Sequence, residues 1–279
     1  FLGIRLDYSD YKVLANLSDN SGKGSDDIWL PSIGFAYEVG RFGELYLNWG
    51  KGFHSNDVRG ATIAFDPLSN DELEPVDLFS DQDGAEVGYR VERDDDLVLS
   101  LAYFWLQSDS ELIFAGDSGG TEASDGSERS GLELAVFWEL NSNWVLDLTG
   151  SVVDSKFVAV DAKSDHIPNA HGRVISMGLT RAPVLGWNWS MRVRHFGDAA
   201  LVEDDSINYP STTIVNMGLS YKTDRWTAGV DLFNLADSEH YDIAYWYSSR
   251  LLSEVSPVED IHFHPVNPRS IRVGLEYRF

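Results

Sequence analysis

Apolar and polar residues alternate with a period of two, segment after segment, from one end of this chain to the other. That period puts successive side chains on opposite faces of an extended strand. Leu97, Leu99, Leu101, Tyr103 and Trp105 fall on one face, and Val98, Ser100, Ala102 and Phe104 on the other. Leu132, Leu134, Val136 and Trp138 alternate with Glu133, Ala135, Phe137 and Glu139. Trp187, Trp189, Met191 and Val193 alternate with Asn188, Ser190, Arg192 and Arg194. The pattern predicts about twelve strands of roughly 10 residues, the length that crosses a bilayer when tilted. Their spans are 1–11, 27–39, 43–51, 83–92, 95–107, 128–140, 143–156, 170–181, 186–197, 211–222, 225–234 and 269–279. No segment of helical period and helical length competes with them. No stretch approaches the ~18–20 apolar residues of a membrane helix, and a barrel needs none, because its signal is alternation.

The connections alternate in length. Short turns fall at Gly40–Phe42, Arg93–Asp94, Asn141–Ser142, Ala182–Leu185 and Thr223–Asp224. Long polar connections fall at 12–26, 52–82, 108–127, 157–169, 198–210 and 235–268. An outer-membrane barrel shows this rhythm, with short periplasmic turns and long extracellular loops. The expected fold is all-β: an antiparallel up-and-down transmembrane barrel wall forming a single unit over 1–279.

The two faces agree with that fold. Trp49, Trp105, Trp138, Trp144, Trp187, Trp226, Tyr221 and Tyr277 lie near strand ends on the apolar face, where amphipathic rings favour the bilayer interface. Glu86, Arg90, Glu133, Arg192, Arg194, Arg272, Glu276 and Arg278 lie on the other face, and charges at that density need a wet lumen rather than a dry core. The bland counterpart is a soluble antiparallel sheet with one wet face. Against 21 Lys+Arg stand 45 Asp+Glu, a net charge of −24, which excludes a nucleic-acid partner. Zero cysteines exclude a disulfide scaffold, a thiolate metal site and a cysteine nucleophile. The chain starts at Phe1 on mid-strand sequence, with no basic n-region and apolar h-region, so it is expected to contain no signal peptide and to be a processed or truncated piece of something longer.

The last residues, Arg269 to Phe279, resemble the C-terminal assembly signal of bacterial outer-membrane barrels, with Ile271, Val273, Leu275, Tyr277 and Phe279 on one face. The preceding stretch sharpens the likeness. Val230-Asp-Leu-Phe-Asn-Leu-Ala-Asp237, Tyr241, His264-Pro265 and Pro268-Arg269 resemble the end of a TonB-dependent receptor. Tyr46-Leu-Asn-Trp-Gly-Lys-Gly-Phe-His-Ser55, Asp83-Gly-Ala-Glu-Val-Gly88 and Arg129-Ser-Gly-Leu-Glu133 fit the same family in the same order. The resemblance implies the C-terminal half of a 22-stranded type of barrel whose plug and first strands are absent. It implies energised uptake, across a Gram-negative outer membrane, of a scarce extracellular ligand such as a ferric siderophore or other metal chelate. Its implied partners are the TonB inner-membrane complex, acting through the missing N-terminal part, the small ligand, outer-membrane lipid and lipopolysaccharide, and the barrel assembly machinery. The alternatives are a self-contained outer-membrane pore or barrel enzyme of about twelve strands, and a soluble β-sandwich binding module.

Candidate ligand-binding residues follow from position in the loops: His54, Asp57, Arg59, His166, His171 and His240. Candidate assembly residues are Tyr277 and Phe279. His262-Phe-His264 puts two imidazoles on one face of an extended segment, but no third ligand has a fixed spacing, and no metal or other cofactor is expected. Asp66, Asp71, Glu72, Glu74, Asp77, Asp81 and Asp83, with Glu203-Asp-Asp205, make a carboxylate-rich mouth that concentrates cations, or a solvated surface bridged to lipopolysaccharide by divalent ions. Arg192, Arg194 and Arg272 are expected to pair with lumen acids such as Glu133 and Glu276, or with the plug. No catalytic set is expected: Ser190 and His195 lie on opposite faces of one strand, and no nucleophile elbow is present. Gly116-Asp-Ser-Gly-Gly120 is a loop with no helix after it, so it is no phosphate cradle.

Overall fold

The structure, a computed structural model, describes residues 1–16, 18–65, 71–94, 96–110, 112–115, 120–123 and 125–279. Asp66 of the acidic mouth and residues 116–119 of the Gly-rich loop lie outside the described residues. The strands are β1 (Leu2–Val13), β2 (Gly22–Val39), β3 (Gly43–Ser55), β4 (Phe79–Arg93), β5 (Leu97–Ser108), β6 (Leu112–Ala115), β7 (Gly120–Ala123), β8 (Ser127–Asn141), β9 (Trp144–Phe157), β10 (Arg173–Arg181), β11 (Gly186–Phe196), β12 (Ala199–Ala200), β13 (Asn208–Tyr209), β14 (Thr212–Lys222), β15 (Trp226–Phe233), β16 (Tyr241–Ser249), β17 (Val258–Pro265) and β18 (Ser270–Tyr277).

Twelve of them form one sheet in the order β1-β2-β3-β4-β5-β8-β9-β10-β11-β14-β15-β18. Every neighbour is antiparallel and consecutive along the chain, apart from three two-stranded ribbons, β6–β7, β12–β13 and β16–β17, which sit inside long connections. All twelve expected strands are present in the expected order. The largest extensions beyond the alternation are in three strands: β2 begins at Gly22, β3 continues to Ser55, and β4 begins at Phe79. Their pairing persists to Ser55↔Phe79, above the apolar belt. Backbone hydrogen bonds hold strands there without an apolar face, so the alternation stops before the strand does. The three ribbons correct the expectation of plain polar loops at 108–127, 198–210 and 235–268. Among the described residues β1 and β18 are the two ends of the sheet and do not pair with each other.

The register turns the alternation into a belt. Leu45, Tyr89, Leu101 and Leu134 lie side by side across four strands. So do Leu47, Val87, Tyr103, Leu132 and Val152 across five. Trp187 packs edge-on against Tyr221 at 5.1 Å, and Trp226 faces Tyr277, at the short-turn rim. Many of these side chains are exposed, because no protein layer covers them; hydrocarbon is the environment that fits such a face. Directly above the belt the same face becomes charged. Lys51, Asp83, Gln107, Glu128 and Lys156 form one row across β3, β4, β5, β8 and β9. Lys51 lies 3.4 Å from Asp81 and 3.5 Å from Asp83, and Lys156 lies 3.4 Å from Glu128.

The buried apolar cluster lies elsewhere, at the long-loop end. Ala199, Leu201, Tyr209 and Ala244 are its centre, with Ile207, Tyr241, Trp246 and Ile261 packed around them.

Candidate functional site

Two surfaces carry polar chemistry: the inner face of the wall and the loop body above it. On the inner face Arg192 of β11 reaches over β10 to Asp147 of β9, with Nη1–Oδ1 at 2.8 Å and Nη2–Oδ2 at 3.1 Å. Gly178, in register with both, supplies the gap. Arg192 also donates to Ser176 at 3.3 Å. Arg192 thus pairs with an inner-face acid, as expected, but with Asp147 rather than Glu133 or Glu276. Glu133 is in register with Ser151, two rows away, and Glu276 pairs with Arg278 at 3.1 Å. Arg272 lies over the Phe233 ring at 5.0 Å, in register with Asp231. Asn48 donates to Glu86 at 2.9 Å. Beside Arg272 a hollow of about 500 Å³ is lined by Ser190, Gly218, Asp231 and Glu276. A second, of about 330 Å³, is lined by Tyr46, Glu86, Glu133 and Thr149. The inner wall is thus a field of paired charges and small polar groups, suited to a hydrated content rather than a packed core.

The loop body is built from three connections. Tyr209 donates its hydroxyl to the Tyr241 carbonyl at 2.6 Å, and Thr212 donates to the same oxygen at 3.3 Å. The Tyr209 and Tyr241 rings stack, and Tyr241 stacks on Phe263 at 4.1 Å. Burial pushes the Tyr209 phenol above its ordinary pKa. Backbone bonds from His166 to Glu203 and from Asn169 to Ala200 tie the first loop to the second. The third loop is clamped at its base by Asn234, which is 3% exposed. Its amide donates to the carbonyls of Ser238 and Asn267, and its oxygen accepts from the Ser238 N–H at 2.9 Å. Asp237 and Arg269 close the same base at 3.2 Å. Asn234 and Asp237 belong to the motif at Val230–Asp237, and the geometry gives that motif its physical reason. Tyr209 and Asp147 were not singled out from the sequence, and Tyr241 entered only as part of the family resemblance. A tyrosine inside a polar loop was the available signal for the two tyrosines.

The six candidates fall into two groups. His54 lies on β3, paired with Ser80, rather than in the expected loop; it contacts Asn56 Oδ1 at 3.1 Å, and Asn56 donates to the Asp77 carbonyl at 2.8 Å. Asp57 and Arg59 form a local pair at 2.5 Å, and the Arg59 hydrogen bonds hold the Asp57 carboxyl below the usual carboxylate range. In the other body His166 lies 3.5 Å from Asp165, and His240 is exposed. His171 donates from Nδ1 to the Gly197 carbonyl at 2.7 Å and packs on Phe196 and Tyr209. Among the described residues no hydrogen bond or ion pair joins the two groups. His262 and His264 have separate neighbours, Ser249 and Asp242. Among the described residues no cluster of three or more His, Asp or Glu can hold a metal ion.

Residues 2–235 match the family described as TonB dependent receptor-like, beta-barrel. The chain belongs to this family. Solved structures agree on the fold. The ferric yersiniabactin uptake receptor FyuA from Yersinia pestis superposes with a TM-score of 0.71 at 17% identity, over 100% of this chain and 42% of that one. The ferric-catecholate import receptor Fiu from E. coli K12, in its closed form, gives 0.71 at 14%, over 100% and 42%. The ferric citrate transporter FecA gives 0.69 at 12%, over 99% and 42%. The chain spans about two fifths of the length of these structures. It is therefore a segment of a receptor barrel, and the place of such a barrel is the Gram-negative outer membrane. The family and its solved relatives are transport receptors.

Proposed function

We propose that this barrel segment forms part of an importer that takes up a scarce extracellular ligand, a ferric siderophore or another metal chelate, using energy delivered by the TonB complex of the inner membrane. The observation that supports it most is the construction of the wall: an apolar belt outside, paired charges inside, and every long loop at one end. Structures of the same fold are described as a ferric yersiniabactin uptake receptor, a ferric-catecholate import receptor, a ferric citrate transporter and a copper transporter. Ligand contact at the mouth falls to His54, Asp57 and Arg59 on one side and to His166 and His240 on the other. His171 supports the second surface from below. The belt meets lipid, the charged row above it meets lipopolysaccharide, and Tyr277 with Phe279 addresses the barrel assembly machinery.

The test is uptake of ⁵⁵Fe by cells expressing the protein, with ferric citrate and a ferric catecholate as probes and ⁶⁴Cu²⁺ as a third. Uptake of one probe that stops on loss of TonB supports the reading. Uptake that survives TonB loss, together with ohmic conductance of the purified protein in planar bilayers, replaces it with a passive pore.

A further inference from the structure

The β16–β17 ribbon ends in a tip unlike the rest of the loop body. Leu252 is 105% exposed and Val255 99%, and Leu251 and Val258 are also open to solvent. The tip is a made turn. The Leu251 N–H donates to the Glu254 carboxylate at 2.7 Å, and the Glu254 N–H donates to the Leu251 carbonyl at 3.1 Å. The arm behind it is stiffened. His262 donates from Nδ1 to the Asp260 carbonyl at 3.0 Å, so its Nε2 accepts from the Ser249 hydroxyl at 2.7 Å. The His262 ring stacks on Tyr247 at 3.8 Å. A rigid arm holding aliphatic side chains in water at the long-loop end is the form of a recognition knob.

A second observation lies on the same arm. Glu259 and Trp246 line a hollow of about 630 Å³ whose other walls include Glu203, Asp204, Ser164 and Ile207. Hydrogen bonds from the Ser206 hydroxyl and N–H hold the Asp204 carboxyl below the usual carboxylate range. Three carboxylates beside an indole suit an ammonium or guanidinium group with an apolar stem. The knob calls for an apolar patch on a partner, and the hollow calls for a Lys or Arg side chain next to it.

We propose that the β16–β17 arm is a docking surface for a cationic protein or peptide at the cell surface: Leu252 and Val255 seat in its apolar patch, and one of its basic side chains enters the Glu203–Asp204–Glu259 hollow against Trp246. The hollow adjoins the import candidates, since the His166 N–H donates to the Glu203 carbonyl, but neither reading rests on the other. The charge of the whole chain, −24, favours encounter with a basic partner.

The test uses the purified protein in detergent and two fluorescein-labelled 14-residue peptides, one of alternating Lys/Leu helical pattern and one with Glu for Lys. The Lys/Leu peptide binds and the Glu/Leu peptide does not. Leu252→Ser with Val255→Ser weakens binding about tenfold, as loss of a central apolar anchor does. Glu203→Gln with Glu259→Gln weakens it about as much at low salt and far less at high salt. Glu203, Leu252 and Val255 lie outside the strands and Glu259 is an exposed residue of the ribbon strand β17, so receptor fold is checked by unchanged heat-modifiable mobility. Equal binding by wild type and both double variants overturns the proposal. So does a knob variant that loses partition into phospholipid vesicles while keeping peptide affinity, which makes the tip a lipid contact.

Discussion

Arg192 and Asp147 clasp each other across an intervening strand, and the residue of that strand in register with both is a glycine. A methyl group on Gly178 would lie 2.2 Å from Asp147 Oδ2 and 2.6 Å from Arg192 Nη2. Gly178→Ala therefore opens the clasp. Both partners are more than a third exposed, so solvent screens the pair and its loss costs about 1 kcal/mol or less. Gly274, on the same inner face, has nothing within 4 Å of a built methyl, and Gly274→Ala leaves stability within ~0.5 kcal/mol. Urea unfolding from vesicles decides: equal losses at both glycines would remove the clasp from the account.

The two faces of β9 give a sharper contrast. Leu148 sits in the belt between Val136 and Met177, and Thr149 sits on the inner face between Ala135 and Ser176. Leu148→Arg costs about 2–4 kcal/mol, the penalty of a charge near the bilayer midplane. Thr149→Arg, one residue away, costs under about 1 kcal/mol because its guanidinium stays in water. The same urea titration reads both, and a reversed order would exchange the faces.

Tyr209 makes the loop body sensitive to alkali. Burial holds its pKa above the ordinary value of 10.0. For a group whose folded pKa is raised, stability is fully present below the unfolded value and is lost as pH rises through the folded one. The stacked core of Tyr209, Tyr241 and Phe263 therefore stays closed below about pH 10 and opens above it. Hydrogen exchange across 241–249 follows the opening. Tyr209→Phe, which has no ionisable phenol, abolishes the alkaline step while raising exchange at lower pH through the lost bond to the Tyr241 carbonyl.

Asn234 clamps the base of the longest connection and does so at φ +49°. Asn234→Ala removes its side-chain hydrogen bonds and the residue type that tolerates this backbone, at about 2–3 kcal/mol. Asn234→Gly keeps the backbone but not the bonds, so it falls between. Proteolysis in 235–268 ranks the three forms, and a glycine variant as labile as alanine would assign the whole effect to the hydrogen bonds.

The wall was legible because one physical rule covers it. Trp187 and Arg192 are separated onto two faces by the same alternation that makes them lie on a strand, and each of the twelve strands repeats it. The partner of Arg192 was not legible, since it depends on register: Glu133 and Glu276 are as acidic as Asp147, and only the pairing of β9, β10 and β11 brings one of them under the guanidinium. The loop body was hidden for a related reason. Tyr209 and Tyr241 meet across 32 residues, with no period to announce them. The six ligand candidates came from loop position alone, which says nothing about the two separate groups into which they fall.

The chain terminus offers the last discrimination. Tyr277 faces Trp226 across the final pairing, and Phe279 contacts Tyr277 edge-on at 5.2 Å while being 114% exposed. A ring so exposed buries almost no area against the rest of this chain, so it contributes little to the stability of these twelve strands. If Phe279 serves as an address during assembly, its removal acts on the rate and yield of insertion and not on the inserted product. Deleting Phe279 should therefore lower the amount of protein in the outer membrane several-fold while leaving the urea midpoint of the surviving fraction within ~0.5 kcal/mol of wild type. Tyr277→Ala should lower both, since that ring packs on Phe279 and faces Trp226. Normal insertion of the Phe279-deleted chain would leave the terminal ring with only a place at the membrane interface.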